Sequence, residues 1–204
     1  MTYAVQHWQT LLDRTLQHLL LVATALAIAG AIALPLGVAA SRNVRLRGPL
    51  LGALNALYTL PSLAVIALLV PVFGLGFVTT EIALVAYAQM ILVRNVVAGL
   101  DAVPAEVRDA ARGLGLGVAQ ALWRVELPLA LPVIVGGVRL AAVATIAIAT
   151  LAGKIDAGGL GAVLFAGLDA DDPQRIIAGS VAAAGLAAGT DLVLRACEGR
   201  LRAR

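Results

Sequence analysis

Five apolar runs, at roughly 19–40, 50–73, 78–93, 129–150 and 176–194, dominate the chain and leave it few choices of fold. About 20 mostly apolar residues in helical conformation cross a hydrocarbon core of about 30 Å. In lipid every backbone N–H and C=O must be satisfied internally, so such runs fold as transmembrane helices. Composition closes the soluble alternative. Of the 204 residues, 61% are hydrophobic and 13% charged, against roughly 45–50% and 25% in soluble domains. The expected fold is all-α, a polytopic membrane bundle of about five transmembrane helices. It forms one domain over residues 1–204, with its core at about 15–195.

The first run is too long for a signal-peptide core and its basic flank follows it, so it is read as a retained helix. Before it, Val5, Trp8, Leu11, Leu12 and Leu16 recur near helical spacing beside Gln9, Asp13 and Arg14. Two readings stand here: a short interfacial helix, or the polar start of the first span.

The arginines set an orientation. Arg42, Arg45 and Arg47 lie between runs one and two. Arg94, Arg108, Arg112 and Arg124 lie between runs three and four. Arg195, Arg200, Arg202 and Arg204 form the tail. Basic residues favour the cytoplasmic side. The N-terminus is therefore expected outside, with the 101–128 segment and the C-terminus inside a bacterial plasma membrane. Asp169, Asp171 and Asp172 then fall outside.

Several chemistries are excluded. Lys154 is the only lysine, and Ile148 and Ile155 occupy the positions where a P-loop needs glycine and a hydroxyl. The chain therefore binds no ATP by that route. Gly113, Gly115 and Gly117 fail the dinucleotide fingerprint at Val118, and no G-x-S-x-G elbow is present. His7, His18 and the lone Cys197 do not make a metal site, and no disulfide can form within the chain. The basic residues form no stripe with interleaved aromatics, which argues against nucleic-acid binding. No catalytic constellation emerges, and the chain is not read as an enzyme.

Small residues recur in the runs. Gly185 and Gly189 make a GxxxG, and Ala23, Ala27 and Ala31 repeat the spacing. Such spacing permits close helix packing. An Ala-rich sequence also produces it by chance.

Residues 101–128, DAVPAEVRDAARGLGLGVAQALWRVELP, are too polar to span. Pro104 suits a helix start, and Ala105 to Arg112 is a strong helix-forming run. Three glycines interrupt it, and helical character resumes from Val118 to Val125. The segment is expected as two short helices about a glycine turn, a knob suited to a groove on a partner. Within it, Asp109-Ala110-Ala111 is followed after three residues by Gly115, and nine residues later by Val125, Glu126, Leu127 and Pro128. This resembles the coupling (EAA) loop of binding-protein-dependent ABC importer permeases, with Asp for Glu and Val for Ile. Leu16-Gln17-His18-Leu19, Tyr58-Thr59-Leu60-Pro61-Ser62 and Ala157-Gly158-Gly159-Leu160-Gly161 look like the glycine betaine/carnitine/choline branch.

The resemblance implies a permease subunit that acts as half of a pore. Its implied partners are a cytoplasmic ABC ATPase that holds the ATP, a second permease subunit of the same or a homologous chain, and an extracytoplasmic substrate-binding protein. This chain itself would bind no cofactor. Asp109, Ala110, Ala111, Gly115, Trp123, Leu127 and Pro128 are the candidate ATPase-coupling residues. Trp123 also reads as an interfacial anchor.

Asn55, Tyr58, Thr59 and Ser62 cluster about Pro61 and are candidates to line the path. Their alternative role is to satisfy carbonyls that Pro61 frees. Arg139 lies roughly 16 Å along the fourth span from Pro128 at 1.5 Å per residue. It either faces the path or snorkels to the interface. Asp191 and Arg195, four apart, read as a helix pair. The glycines at 158–161 read as a tight extracellular turn. Rival functions are an ABC permease for another small solute such as an amino acid, an ATP-independent channel or secondary transporter, and a membrane scaffold.

Overall fold

A computed structural model describes residues 2–202; Arg204, counted above with the basic tail, lies outside them. Ten α-helices account for most of the described chain. A short α1 (Thr2–Gln6) precedes α2 (Trp8–Arg42). From Trp8 onward the N-terminal segment is the polar start of the first span, not a separate interfacial helix. Next come α3 (Val44–Thr59), α4 (Ser62–Phe73) and α5 (Phe77–Asp101). The loop helices α6 (Ala105–Gly113) and α7 (Val118–Ala121) lead through a π-turn at Leu122–Glu126 into α8 (Leu127–Ala149). A 3₁₀ turn (Thr150–Ile155), α9 (Gly159–Asp169) and α10 (Pro173–Arg202) complete the chain.

Among the described residues four helices are long and apolar enough to cross a membrane, and five spans result if the bent pair α3–α4 counts as one. That pair is the first departure from the reading of residues 50–73 as a plain span. The chain turns by 94° between Thr59 and Ser62. Pro61 has no N–H to continue the ladder, and Leu60 and Pro61 are extended. The Leu60 carbonyl accepts a hydrogen bond from the Tyr87 hydroxyl at 2.7 Å. Tyr87, not the nearby Thr59 or Ser62, is therefore the satisfying group. Thr59 Oγ1 instead donates to Ala56 O at 2.7 Å.

Contacts give the helix directions. Thr24 meets Glu81, Ala29 meets Gln89, and Gly37 packs on Val96, so α2 and α5 run parallel. His18 meets Ile146 while Arg42 meets Glu126, so α8 runs against α2. Gly136 lies beside Glu198 while Ile146 packs with Leu186, which sets α10 against α8. The core lies where α2, α5 and α8 touch, around Ala29, Ala33, Leu84, Val93 and Ile146.

Close approach there rests on glycines. A Cβ on Gly37 would lie 2.5 Å from Val96 Cβ, and one on Gly137 would lie 2.3 Å from Asn95 Cβ. Gly185 and Gly189, by contrast, face open space. The GxxxG pair therefore makes no close packing within the chain.

Candidate functional site

The 101–128 segment forms the expected pair of short helices about a glycine turn. The stop of α6 explains the spacing of its residues. Gly115 is left-handed at φ 77°. Its N–H bonds to Arg112 O at 2.9 Å, and the Leu116 N–H reaches back to Ala111 O at 3.1 Å. This pair of bonds is a Schellman stop with glycine at the left-handed position. A glycine four residues past Ala111 is thus what ends the helix, and a Cβ there would meet open space.

Ala111 is buried, and α6 also packs through the half-buried Val107. Asp109 and Ala110 face outward. Asp109 is 3.3 Å from Arg112, and both side chains are 71% exposed, so that pair contributes little. The outward surface of α6 is therefore free of strong internal partners.

The knob is fixed from beneath. Glu126, 4% exposed, accepts two 2.7 Å hydrogen bonds from Arg42 Nη2 at the end of α2. Arg47 meets Asp101 at 2.7 Å across the ends of α3 and α5. Arg108 donates to Val103 O at 2.6 Å. Within the π-turn the Leu127 N–H reaches back to Leu122 O. Pro128 follows with no N–H to give, and the wide turn sits just before it. Trp123 stands 64% exposed on this turn, and Leu127 is half-buried at the start of α8. Pro128 lies in the first turn of α8 and is exposed.

Glu126 is the residue that sequence reasoning passed over. It stands at the free position between Val125 and Leu127. Its signal was a lone acid beside Pro128 at the mouth of a span, opposite the arginines that end the first one.

The candidate path residues gather around the α3–α4 bend. Asn55, Tyr58 and Thr59 are exposed, and Ser62, the first residue of α4, is half-buried. The Tyr58 and Tyr87 rings lie 6.0 Å apart at 59°. No residue of α3 is buried. Arg139 belongs to a different seam. Its guanidinium lies 3.3 Å from Asp191 and 3.2 Å from Glu198, both on α10. Asp191 therefore pairs with Arg139 across helices instead of with Arg195 along its own.

Two of the short motifs, 142 residues apart, meet each other. The Gly159 N–H donates to Gln17 Oε1 and the Leu160 N–H to His18 Nδ1, each at 3.3 Å. His18 is fully buried. With Nδ1 accepting, Nε2 carries the proton and donates to Ile146 O at 3.1 Å. The imidazole thus ties α2, α8 and the start of α9 together. The glycines at 158–161 serve this seam, beyond the tight turn expected. A Cβ on Gly161 would lie 1.7 Å from Thr150 O, and one on Gly153 2.2 Å from Gly161 C.

Two further buried polar groups face α2. Glu81 lies 2.5 Å from Thr24 Oγ1, and Gln89 donates to Ala29 O at 3.2 Å. No group of three or more His, Cys, Asp or Glu side chains placed to hold a metal occurs among the described residues.

The described chain is thus a helix bundle with an exposed bent pair, α3–α4, and a braced knob at one end. Over residues 31–203 the chain matches the family described as binding-protein-dependent transport system inner membrane component, and it belongs to that family. It is thus a multi-pass permease subunit of the inner membrane, and not an enzyme.

The chain is 40% identical over 184 residues to the osmoprotectant import permease protein OsmW of Salmonella typhimurium, covering 88% of this chain and 86% of that one. It is 37% identical to the choline transport system permease protein OpuBB of Bacillus subtilis, covering 98% and 94%. It is 36% identical to the carnitine transport permease protein OpuCB of Listeria monocytogenes, covering 98% and 92%. Among solved structures, an inward-facing form of the MetNI methionine ABC transporter aligns over 94% of this chain and 96% of that one. Its TM-score is 0.85 at 20% identity, a likeness of fold.

Proposed function

We propose that this chain carries a small quaternary-ammonium osmoprotectant (betaine, choline or carnitine) as half of the path of an ATP-driven importer. The observation that carries the substrate class is the 36–40% identity, over nearly whole chains, to permeases named for osmoprotectant, choline and carnitine transport. The coupling assignment rests on the braced, outward-facing knob at 101–128. ATP is bound and hydrolysed by a separate cytoplasmic ATPase that receives Asp109, Ala110, Ala111 and Gly115 on its surface. Trp123, Leu127 and Pro128 carry that movement into α8. The knob and the C-terminus then face the cytoplasm, and the N-terminus faces outside, as the clustering of arginines at this end favours. Transmission requires the ATPase to contact the two states of the bundle differently, since equal contact shifts nothing.

A second permease chain covers the exposed face of α3 and α4, so that Asn55, Tyr58, Thr59 and Ser62 line a shared path. Polar side chains at membrane depth face protein or water. Arg139 does not repel a cation, because Asp191 and Glu198 neutralise it in its own seam. Quaternary ammonium groups are held over aromatic faces, and this chain has only two Trp, three Tyr and three Phe. Tyr58 and Tyr87 supply one pair. An external binding protein therefore supplies most of the selectivity.

The test is uptake of labelled betaine, choline and carnitine in cells with and without this gene, at high and low osmolarity, with methionine and phosphonates in parallel. Uptake of at least one quaternary amine should depend on the gene. Dependence of methionine alone would overturn the substrate class and leave the importer assignment standing.

A further inference from the structure

At the end of the bundle that carries the knob, a groove of about 470 Å³ opens on the outer surface between α2 and the start of α8. Leu34, Pro35 and Val38 form one wall, and Leu122, Trp123 and Leu127 the other. Arg42 closes its end. We propose that this groove holds one anionic phospholipid, with an acyl chain along the walls and its phosphate at the rim. The inference concerns lipid and is independent of the transported substrate.

Three observations carry it. The first is length. Leu34 and Arg42 are eight residues apart on the same helix, roughly 12 Å, close to the roughly 15 Å that one leaflet contributes to a hydrocarbon core of about 30 Å. The second is polarity along that length. The walls are apolar throughout, and the polar groups stand only at the end where Trp123 lies 64% exposed. An exposed tryptophan at that depth is characteristic of the membrane–water boundary.

The third is charge. Arg42 gives only Nη2 to Glu126, and a third of its side chain stays exposed. Arg124, beside Trp123, is exposed, as is Arg45 at the start of α3; neither has an ion-pair partner among the described residues. Glu126 is the one acid paired with Arg42 at the groove's end, while Arg124 is next in the chain to Trp123 and Arg45 follows Arg42 by three residues, so the excess of charge there is positive. Basic pockets beside transmembrane helices on the cytoplasmic side recruit anionic head groups. A zwitterionic lipid would fill the walls equally and gain nothing from the rim.

Native mass spectrometry of the purified full-length chain tests this, with phosphatidylglycerol and phosphatidylcholine of identical acyl chains. Phosphatidylglycerol should be retained in preference, and Arg124→Gln should lower its retention about fivefold, the scale expected of one basic residue. Ala39→Trp, at an exposed position on the groove wall, should lower retention of both lipids, while Arg200→Gln on the distant tail should change neither. A phosphatidylglycerol with a photoreactive acyl chain should label peptides carrying Leu34, Val38 or Trp123. Equal retention of the two lipids, equal effects of Arg124→Gln and Arg200→Gln, or labelling confined to other helices would overturn the proposal. So would a photoreactive residue at position 123 that captures a second copy of the chain in lipid bilayers.

Discussion

The molecule has two glycine-rich segments that look alike as sequence and do opposite things. At 113–117 the surroundings are open. Gly115 is needed for its own backbone angle, and nothing lies within 4 Å of where its Cβ would be. At 153–161 the surroundings are full. Gly153 and Gly161 are needed because another stretch of backbone occupies the place of a side chain. The first segment ends a helix and leaves a rigid, unoccupied surface. The second locks α9 into the bundle, with Gln17 and His18 holding its first N–H groups. A surface that the fold holds firmly yet does not use is available to a partner, and a surface that the fold consumes is not. That difference makes 101–128 the interface candidate and 153–161 a structural seam.

Breaking the seam should have the largest effect on stability. Gly161→Ala places a methyl group into the Thr150 carbonyl, and overpacking costs about 1–3 kcal/mol even against movable side chains. Against backbone, little folded protein should survive extraction into mild detergent, as size-exclusion profiles and thermal shift would show. A wild-type profile would mean that the seam is looser than the structure shows.

Next should come Arg42→Gln, which strands Glu126 in a buried site. Breaking such a pair costs about 3–5 kcal/mol when both partners are buried, and the partial exposure of Arg42 places the loss at the lower end. His18→Leu should follow. It leaves the Leu160 N–H and the Ile146 carbonyl without partners, each worth about 1–3 kcal/mol when buried, partly offset by the added apolar packing. Thermal unfolding should move down for both variants, with insertion retained.

Arg47→Gln should have the smallest effect. Both partners in the Arg47–Asp101 pair are 40% exposed, and such pairs contribute about 0–1 kcal/mol. A loss at Arg47 as large as that at Arg42 would show that burial is not what distinguishes the two braces.

The five apolar runs were readable because membrane helices announce themselves by length and composition. The knob was readable because Asp109, Ala110, Ala111 and Gly115 obey local rules of helix stop and exposure. What escaped depended on partners far along the chain. Arg139 is neutralised by acids 52 and 59 residues away, so its own position could not reveal its state. The sharp bend at Leu60–Pro61 depends on a hydroxyl from Tyr87, 27 residues on. The helix α9 is only 11 residues long, below the length that marks a span. Glu126 sits where the motif accepts any residue, and only the fold brings Arg42 to it.

The central claim is that the surface around Gly115 passes force between this chain and an ATPase. The direct measurement uses Gly115→Asp in a complex reconstituted with the proposed ATPase and binding protein, following uptake and substrate-stimulated ATP hydrolysis together. Because the space around Gly115 is open, the variant should insert and fold with only the cost of a left-handed non-glycine residue, about 1–2 kcal/mol. Uptake and stimulation should both be lost. A correctly assembled Gly115→Asp complex that transports and hydrolyses at the wild-type rate would contradict the account.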